Sequence, residues 1–331
     1  MDEFVTAINQ AIQDNGYEVV FGAGDAELFA LSYRRDEIRA TVPYAAHGRL
    51  VHAFDKLTLA AAASKVGLIA PRTVEASEAA LASFAPRCII KSRLHWRPEN
   101  PQSQMRQQVR VASTHTEARQ IIDDMRFRGG EPVIQEFIDG QLMGVTAITD
   151  KDSQTIAQMH QFAPLTWRPI VGEPTRAFTM PVDPILAGKV AALLSDLGWF
   201  GLVQLQFLMP EDGRPRLIDF NGRTYSTLAL STAAGINFQD LWGRLATDRK
   251  IETVGRAAEG VRYQWMEGDL KRALTERRGG PARDVLSCFG YSPGAVHPVW
   301  TWRDPKPALH VPEMLIAKWK NRLGSVAPKR A

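Results

Sequence analysis

Apolar positions recur along the chain with two periods. Helical spacing marks residues 2 to 15, 56 to 66, 115 to about 128 and 185 to 197. Asp55 is a good N-cap for the alanine-rich second run and Gly67 a good stop, while Thr114 with Glu117 forms a capping box before the third. Shorter β-type runs cover Tyr17 to Phe21, Cys88 to Ile90, Gln108 to Ala112 and Val133 to Ile138. Residues 142 to 149 and 154 to 161 predict a hairpin turning at Lys151 and Asp152. Pro71 opens an extended segment. Residues 162 to 183, with prolines at 164, 169, 174 and 181, predict one long loop, a length that inside a domain usually serves function. Two short helices stop near Gly235 and Arg249, and beyond residue 250 a shift toward Trp and Arg predicts a C-terminal extension. Without an internal repeat, the alternation predicts an α/β or α+β architecture.

The most informative stretch runs from Gly201 to Arg223. Asp212-Gly213 predicts a two-residue hairpin turn between strands 201 to 208 and 214 to 220, because both turn positions need positive φ and this pair tolerates it. With Glu211 facing Arg214, Gln206 falls opposite Asp219 and Gln204 opposite Asn221. Side chains two apart share a face, so four oxygen-bearing side chains converge, and Leu205, Phe207, Ile218 and Phe220 take the core face. One carboxylate among carboxamides, with Arg223 two residues on, suits a hard divalent cation shared with phosphate oxygens, magnesium first. The same alternation is also what any half-exposed hairpin shows.

Composition narrows the class. With 45% hydrophobic and 23% charged residues in 331, disorder and low complexity are excluded, and about two domains are expected. Cys88 and Cys288 stand in no metal-binding spacing and read as reduced thiols, the histidines show no ligand spacing, and no run has the apolar length of a membrane span, which together give a soluble, cytoplasmic expectation. The formal charge of +4 is uneven: residues 87 to 110 and 301 to 331 each carry a net +5. A salt-sensitive nucleic-acid interface ranks last, since the excess sits in one loop and one tail. In that tail Val311, Met314, Leu315, Trp319 and Leu323 form an apolar stripe beside Lys318, Lys320 and Arg322, which either packs on the body or touches an anionic membrane or protein partner.

The stretches Gly201 to Phe207, Leu217 to Arg223 and Ala233 to Phe238 resemble the metal-binding core of ATP-grasp enzymes, and are similar to that of the large chain of carbamoyl-phosphate synthetase. Asp55-Lys56 with Gly67 to Pro71, Ile89-Ile90-Lys91, and Val133 to Gly140 resemble further pieces of that family in the expected order. The resemblance implies an α+β ATP-grasp fold, two lobes sandwiching ATP. A reduced α/β domain over residues 1 to 70 precedes it, the lobes cover about 71 to 135 and 136 to 250, and an extension with the basic tail covers 251 to 331. It implies that Gln206, Asp219 and Asn221 hold magnesium, with manganese as an alternative, that Lys56 and Lys91 meet ATP phosphate, that Gln135, Glu136 and Ile138 meet adenine, and that Arg223 faces an acyl phosphate with Asn221 beside it.

Two departures stand out. Residues 92 to 107 contain no glycine where the family carries a phosphate loop, offering Arg93, His95, Arg97 and Arg106 instead, and Leu142 replaces an acidic residue that often meets ribose. Arg168 and Arg176 either bind a substrate carboxylate or are solvated, His95 and His160 read as bystanders, and Trp265, Trp300 and Trp302 as packing residues. The resemblance implies an ADP-forming ligase that joins a small carboxylate to an amine through an acyl phosphate, in a family that often forms homodimers. A carbamoyl-phosphate-type or other phosphoryl-transfer activity, and a nucleotide-binding module without catalysis, are the alternatives.

Overall fold

The computed structural model describes residues 1–99, 107–169, 172–301 and 304–308. Helices α1 (Asp2–Asn15), α2 (Asp25–Tyr33), α3 (His47–Phe54) and α4 (Lys56–Lys65) come first. A small-sheet unit follows, with β1 (Thr73–Glu75), α5 (Glu78–Ala82), β2 (Cys88–Ser92), β3 (Arg110–Ala112), α6 (His115–Phe127) and β4 (Pro132–Glu136). The large sheet is built from β5 (Gln141–Thr149), β6 (Thr155–Trp167), β7 (Glu173–Met180), then, after α7 (Pro184–Asp196), β8 (Gly201–Met209) and β9 (Arg216–Asn221). Helices α8 (Leu228–Ala233) and α9 (Phe238–Ala246), strand β10 (Arg262–Gln264), helices α10 (Met266–Glu276) and α11 (Pro281–Tyr291), and β11 (Ala295–Val296) complete it.

The expected caps form. Asp55 accepts from the backbone N–H of Leu57 and Thr58 at the head of α4, Thr114 accepts from Glu117 at α6, and Asp183 accepts from Ile185 and Leu186 at α7. The four-stranded sheet runs β1-β4-β2-β3 and the seven-stranded sheet β11-β10-β7-β6-β5-β8-β9. α5 and α6 cover one face of the small sheet through Leu81, Ile121, Ile122 and Met125. The N-terminal helices share a single core with the large sheet and α7, in which Phe220 meets both Phe54 and Trp199 edge to face, Trp199 at 4.7 Å.

Three expectations need correction. Tyr17 to Phe21 makes one bridge, Val19 to Thr41, rather than a strand. Residues 162 to 183 are not a loop: β6 continues to Trp167 and β7 returns beside it. Their prolines sit where a missing N–H is tolerated, Pro164 where the register slips between Phe162 and Leu165 and Pro174 beyond the stretch paired with β10. Beyond residue 250 the chain does more than append, since β10 pairs with β7 and Tyr263 is fully buried against Ala163, Ala177 and Leu230. The basic stripe of residues 311 to 323, together with Arg106 and Trp302, lies outside the described residues. No helix among the described residues is long and apolar enough to cross a membrane.

His160 on β6 is sealed from solvent, takes a 3.4 Å contact from the Asp183 N–H at Nδ1 and has no partner at Nε2. Burial pushes its pKa down to about 4, with Asp183 opposing. The unfolded chain therefore binds the extra proton between the ordinary 6.5 and about 4, and stability falls as pH drops through that window by on the order of 3 kcal/mol. Denaturant titrations at pH 7 and 4.5 should show a smaller acid loss for His160→Leu than for the wild type. An unchanged difference would contradict this.

Candidate functional site

The site is built on the β8/β9 hairpin. Gln206 lies opposite Asp219, Leu205 opposite Phe220 and Gln204 opposite Asn221, the expected partners, but the turn is not the expected one, since of Asp212 and Gly213 only Gly213 has positive φ and Leu208 faces Arg216 beside it. Nearer the turn the register slips by one, with Phe207 facing Leu217, so Ile218 is an extra residue in the ladder, a β-bulge. This corrects the predicted core face: Leu217 is buried with Phe207, whereas Ile218 turns to line the cavity. Its carbonyl accepts a hydrogen bond from Lys91 Nζ at 2.8 Å.

Two lysines from different elements converge here. Lys56 is the first residue of α4 and ion-pairs with Asp219, its side chain 3% exposed. Lys91 comes from β2, buried at 6% exposure. Burial and the neighbouring Lys56 charge push the Lys91 ammonium down to about 7, against the pull of Asp219. Burial alone would raise Asp219, yet Lys56, Lys91 and His95 together outweigh it and hold the carboxyl at about 2. Asp55 also anchors the neighbouring loop, accepting from Arg93 Nε at 2.7 Å, while Arg93 reaches Glu75 and Arg97 reaches Glu131. Arg93 and Arg97, two of the side chains this loop offers in place of glycines, are thus engaged within the protein.

A second junction forms around Asp25, at the first turn of α2 and 1% exposed. One oxygen accepts from Arg223 Nε and the other lies 2.6 Å from His95 Nδ1. Arg223 further donates to the Thr224 carbonyl at 2.8 Å and lies 3.4 Å from Asn221 Oδ1. Nothing in the local sequence signals Asp25: an acidic residue in a helix's first turn is ordinary, and its partners lie far along the chain. The intervening Gly222 permits no side chain, since a Cβ there would lie 2.3 Å from the Trp199 ring.

The two lysines, His95 and Asp219 border a cavity of about 300 Å³, and Asp25 and Arg223 are not among its lining residues. Lys56, Lys91, His95, Gln206, Ile218 and Asp219 line one part, and Gln135 and the segment Glu136 to Leu142 another. Gln135 is buried and donates to Thr73, Glu136 is exposed and accepts from the Arg72 N–H, and Ile138 lies on the cavity wall between β4 and β5. Glu276 and Arg278 reach the same cavity from the end of α10. Asn221 stands on the same strand face as Asp219, next to Arg223, but is not among the lining residues.

The two arginines proposed for substrate do not join this group. Arg176 is buried in an ion pair with Asp269 at 2.6 Å, stacked over Tyr291 and bonded to Ser287, so it fastens β7 to α10 and α11. Arg168 is exposed and donates to Gln108 at 2.6 Å. Among the described residues no three His, Cys, Asp or Glu side chains cluster as a metal site. The donor set here is one ionised carboxylate and two carboxamide oxygens, which fits a single magnesium ion that completes its shell with water and phosphate.

Comparison with known proteins places this geometry. A family described as "ATP-grasp in the biosynthetic pathway with Ter operon" matches residues 174–269. No curated protein matches the chain in sequence. Among solved structures, the biotin carboxylase domain dimer of Hydrogenobacter thermophilus 2-oxoglutarate carboxylase, in complex with MgADP, ADP and bicarbonate, superposes with a TM-score of 0.64 at 12% identity, covering 78% of this chain and 60% of that one. Campylobacter jejuni biotin carboxylase with a β,γ-ATP ligand gives 0.62 at 12% identity over 78% and 60%. An L-amino acid ligase from Bacillus licheniformis gives 0.55 at 14% over 73% and 59%. The chain therefore has the α+β ATP-grasp fold and spans about 60% of the length of these relatives.

Two outcomes test the local physics. In the nucleotide-free protein, the Lys91 side-chain NMR resonance should titrate near pH 7, lower in Asp219→Asn and higher in Lys56→Met; a midpoint near the ordinary 10.5 would contradict the burial argument. Gly222→Ala should lower stability by about 1–3 kcal/mol through displacement of Trp199, read by denaturant unfolding. A neutral result would mean that the strand end moves freely.

Proposed function

We propose that this chain is an ATP-dependent ligase that activates a carboxylate as an acyl phosphate and joins it to an amine, releasing ADP and phosphate. The observation that carries the reading is the convergence of Lys56, Lys91 and Asp219, with Arg223 held nearby, at a cavity that the Gln135 to Leu142 segment also lines. Such phosphoryl chemistry is positioning and charge neutralisation, which lysines, an arginine and a cation supply without a nucleophilic side chain. The likeness to an L-amino acid ligase and to ATP- and ADP-bound carboxylases supports nucleotide use within this fold.

In this reading Phe137 to Gly140 offers backbone groups to adenine, with Gln135, Glu136 and Ile138 around it. Lys56 and Lys91 balance the β- and γ-phosphate charge. Lys56 is freed from Asp219 as phosphate replaces the carboxylate as its partner, and phosphate holds Lys91 protonated above the pH at which it would otherwise discharge. Gln206, Asp219 and Asn221 are the residues that would hold magnesium, which when bound shields the phosphate oxygens. Arg223 is fixed at Nε by Asp25 and at one terminal nitrogen by the Thr224 carbonyl, with the other 3.4 Å from Asn221, and each terminal nitrogen has a second N–H to give the acyl phosphate. The γ-phosphoryl group passes to the carboxylate oxygen, then the amine nitrogen attacks the acyl carbon and phosphate leaves. A homodimer belongs to the proposal, following the dimeric carboxylase domain, and light scattering during size-exclusion chromatography tests it.

ADP release from magnesium-ATP with pooled small carboxylates and amines, wild type against Asp219→Ala, tests the activity. Pool-dependent ADP that falls at least about 100-fold in the variant is expected. AMP as the product, or equal turnover by the two proteins, would overturn the reading.

A further inference from the structure

One titratable group on the cavity wall has no part in the scheme above. His95 lines the cavity with Lys56, Lys91 and Asp219, and its Nδ1 lies 2.6 Å from Asp25 Oδ2. Asp25 is buried and holds Arg223 with its other oxygen. A carboxylate only accepts, so Nδ1 carries the hydrogen and the neutral ring keeps its lone pair at Nε2. Among the described residues nothing hydrogen-bonds Nε2, and it is not one of the sealed polar atoms. An imidazole oriented by a buried carboxylate, with its second nitrogen accessible on a cavity wall, is the arrangement of a base.

Around the ring, Asp25 on α2 and Asp219 on β9 favour the imidazolium, while burial and Lys56 on α4 oppose it. Burial is the strongest of these and leaves the pKa below the ordinary 6.5. At neutral pH the ring is therefore an acceptor. Arg223 reaches it only through Asp25.

We propose that His95 is the general base of the amide-forming step, with Asp25 as the positioning residue that aligns both the base and Arg223. The inference rests on the ligase reading. The amine lone pair forms the C–N bond to the acyl carbon, the C–O bond to phosphate breaks with its electrons on the departing phosphate oxygen, and the nitrogen's proton passes to His95 Nε2. Because one carboxylate sets both side chains, the proton acceptor and the charge that meets the leaving phosphate keep a fixed relation.

The test compares two nucleophiles on the same acyl phosphate. With magnesium-ATP and pooled carboxylates, hydroxylamine, which is weakly basic and attacks with little help in proton removal, reports acyl phosphate as hydroxamate; pooled amines report amide. In His95→Asn and His95→Gln the ratio of amide to hydroxamate should fall by roughly 100-fold or more, the range a general base supplies, and the acid limb of the amide pH profile should vanish. In Asp25→Asn that limb should move to lower pH, since the carboxylate raises the imidazole pKa. Parallel loss of both products in the His95 variants, or an unchanged ratio, would overturn the assignment. A wild-type protein that makes neither product would overturn the ligase reading and this inference with it.

Discussion

The ion pair between the buried Lys56 and Asp219, whose side chain is 26% exposed, is the constraint on which the rest of the molecule depends. It ties the first residue of α4 to β9, the edge strand of the large sheet, and the Lys56 ammonium is not tolerable there without a negative partner. Burying an unpaired charge costs several kcal/mol, and removing one partner of such a pair typically costs about 3–5 kcal/mol. Lys91, on a third element, completes the arrangement, because its ammonium faces Lys56 and is steadied by Asp219 and the Ile218 carbonyl. Three elements from distant parts of the sequence thus meet over a single carboxylate, with a small excess of positive charge directed into a cavity.

That excess explains the scaffolding around it. Asp55 caps α4 and so fixes the residue that follows it, while its second oxygen holds Arg93 and thereby the start of the glycine-poor loop. The bulge at Ile218 puts Leu217 in place of Ile218 on the core face and turns a strand carbonyl toward Lys91. Gly222 lets Trp199 pack beneath the chain between Asn221 and Arg223. The bulge departs from the regular pattern of its strand and lies beside the cavity, which is where a fold accepts local cost for the sake of a site.

Much of this was legible in the sequence, and the limits have physical causes. The turn signal and the period of two put Gln206 opposite Asp219, and that pairing holds because the one-residue slip at Ile218 offsets a turn one residue longer than the expected two-residue one. The bulge was not legible, since the ladder near the turn slips by one residue and the compensation depends on Lys91, far away in the chain. Four prolines suggested a loop over residues 162 to 183, yet proline forbids only the ladder positions that need its N–H, and β6 and β7 put theirs elsewhere. Arg176 carried the same charge whether it met a substrate or Asp269, and only the placement of α10 against β7 decides between them. Asp25 went unnoticed for the same reason: its importance lies in Arg223 and His95, neither of which is near it in sequence.

On the proposed function, the Lys56–Asp219 pair receives a metal-bound triphosphate and parts when one enters. A crystal structure with magnesium and a non-hydrolysable ATP analogue tests this most directly. The account predicts the β- and γ-phosphates between Lys56 and Lys91, magnesium on Asp219 with Gln206 and Asn221, and Lys56 released from the carboxylate. An analogue bound elsewhere, or seated in the cavity with the Lys56–Asp219 pair intact, would contradict it.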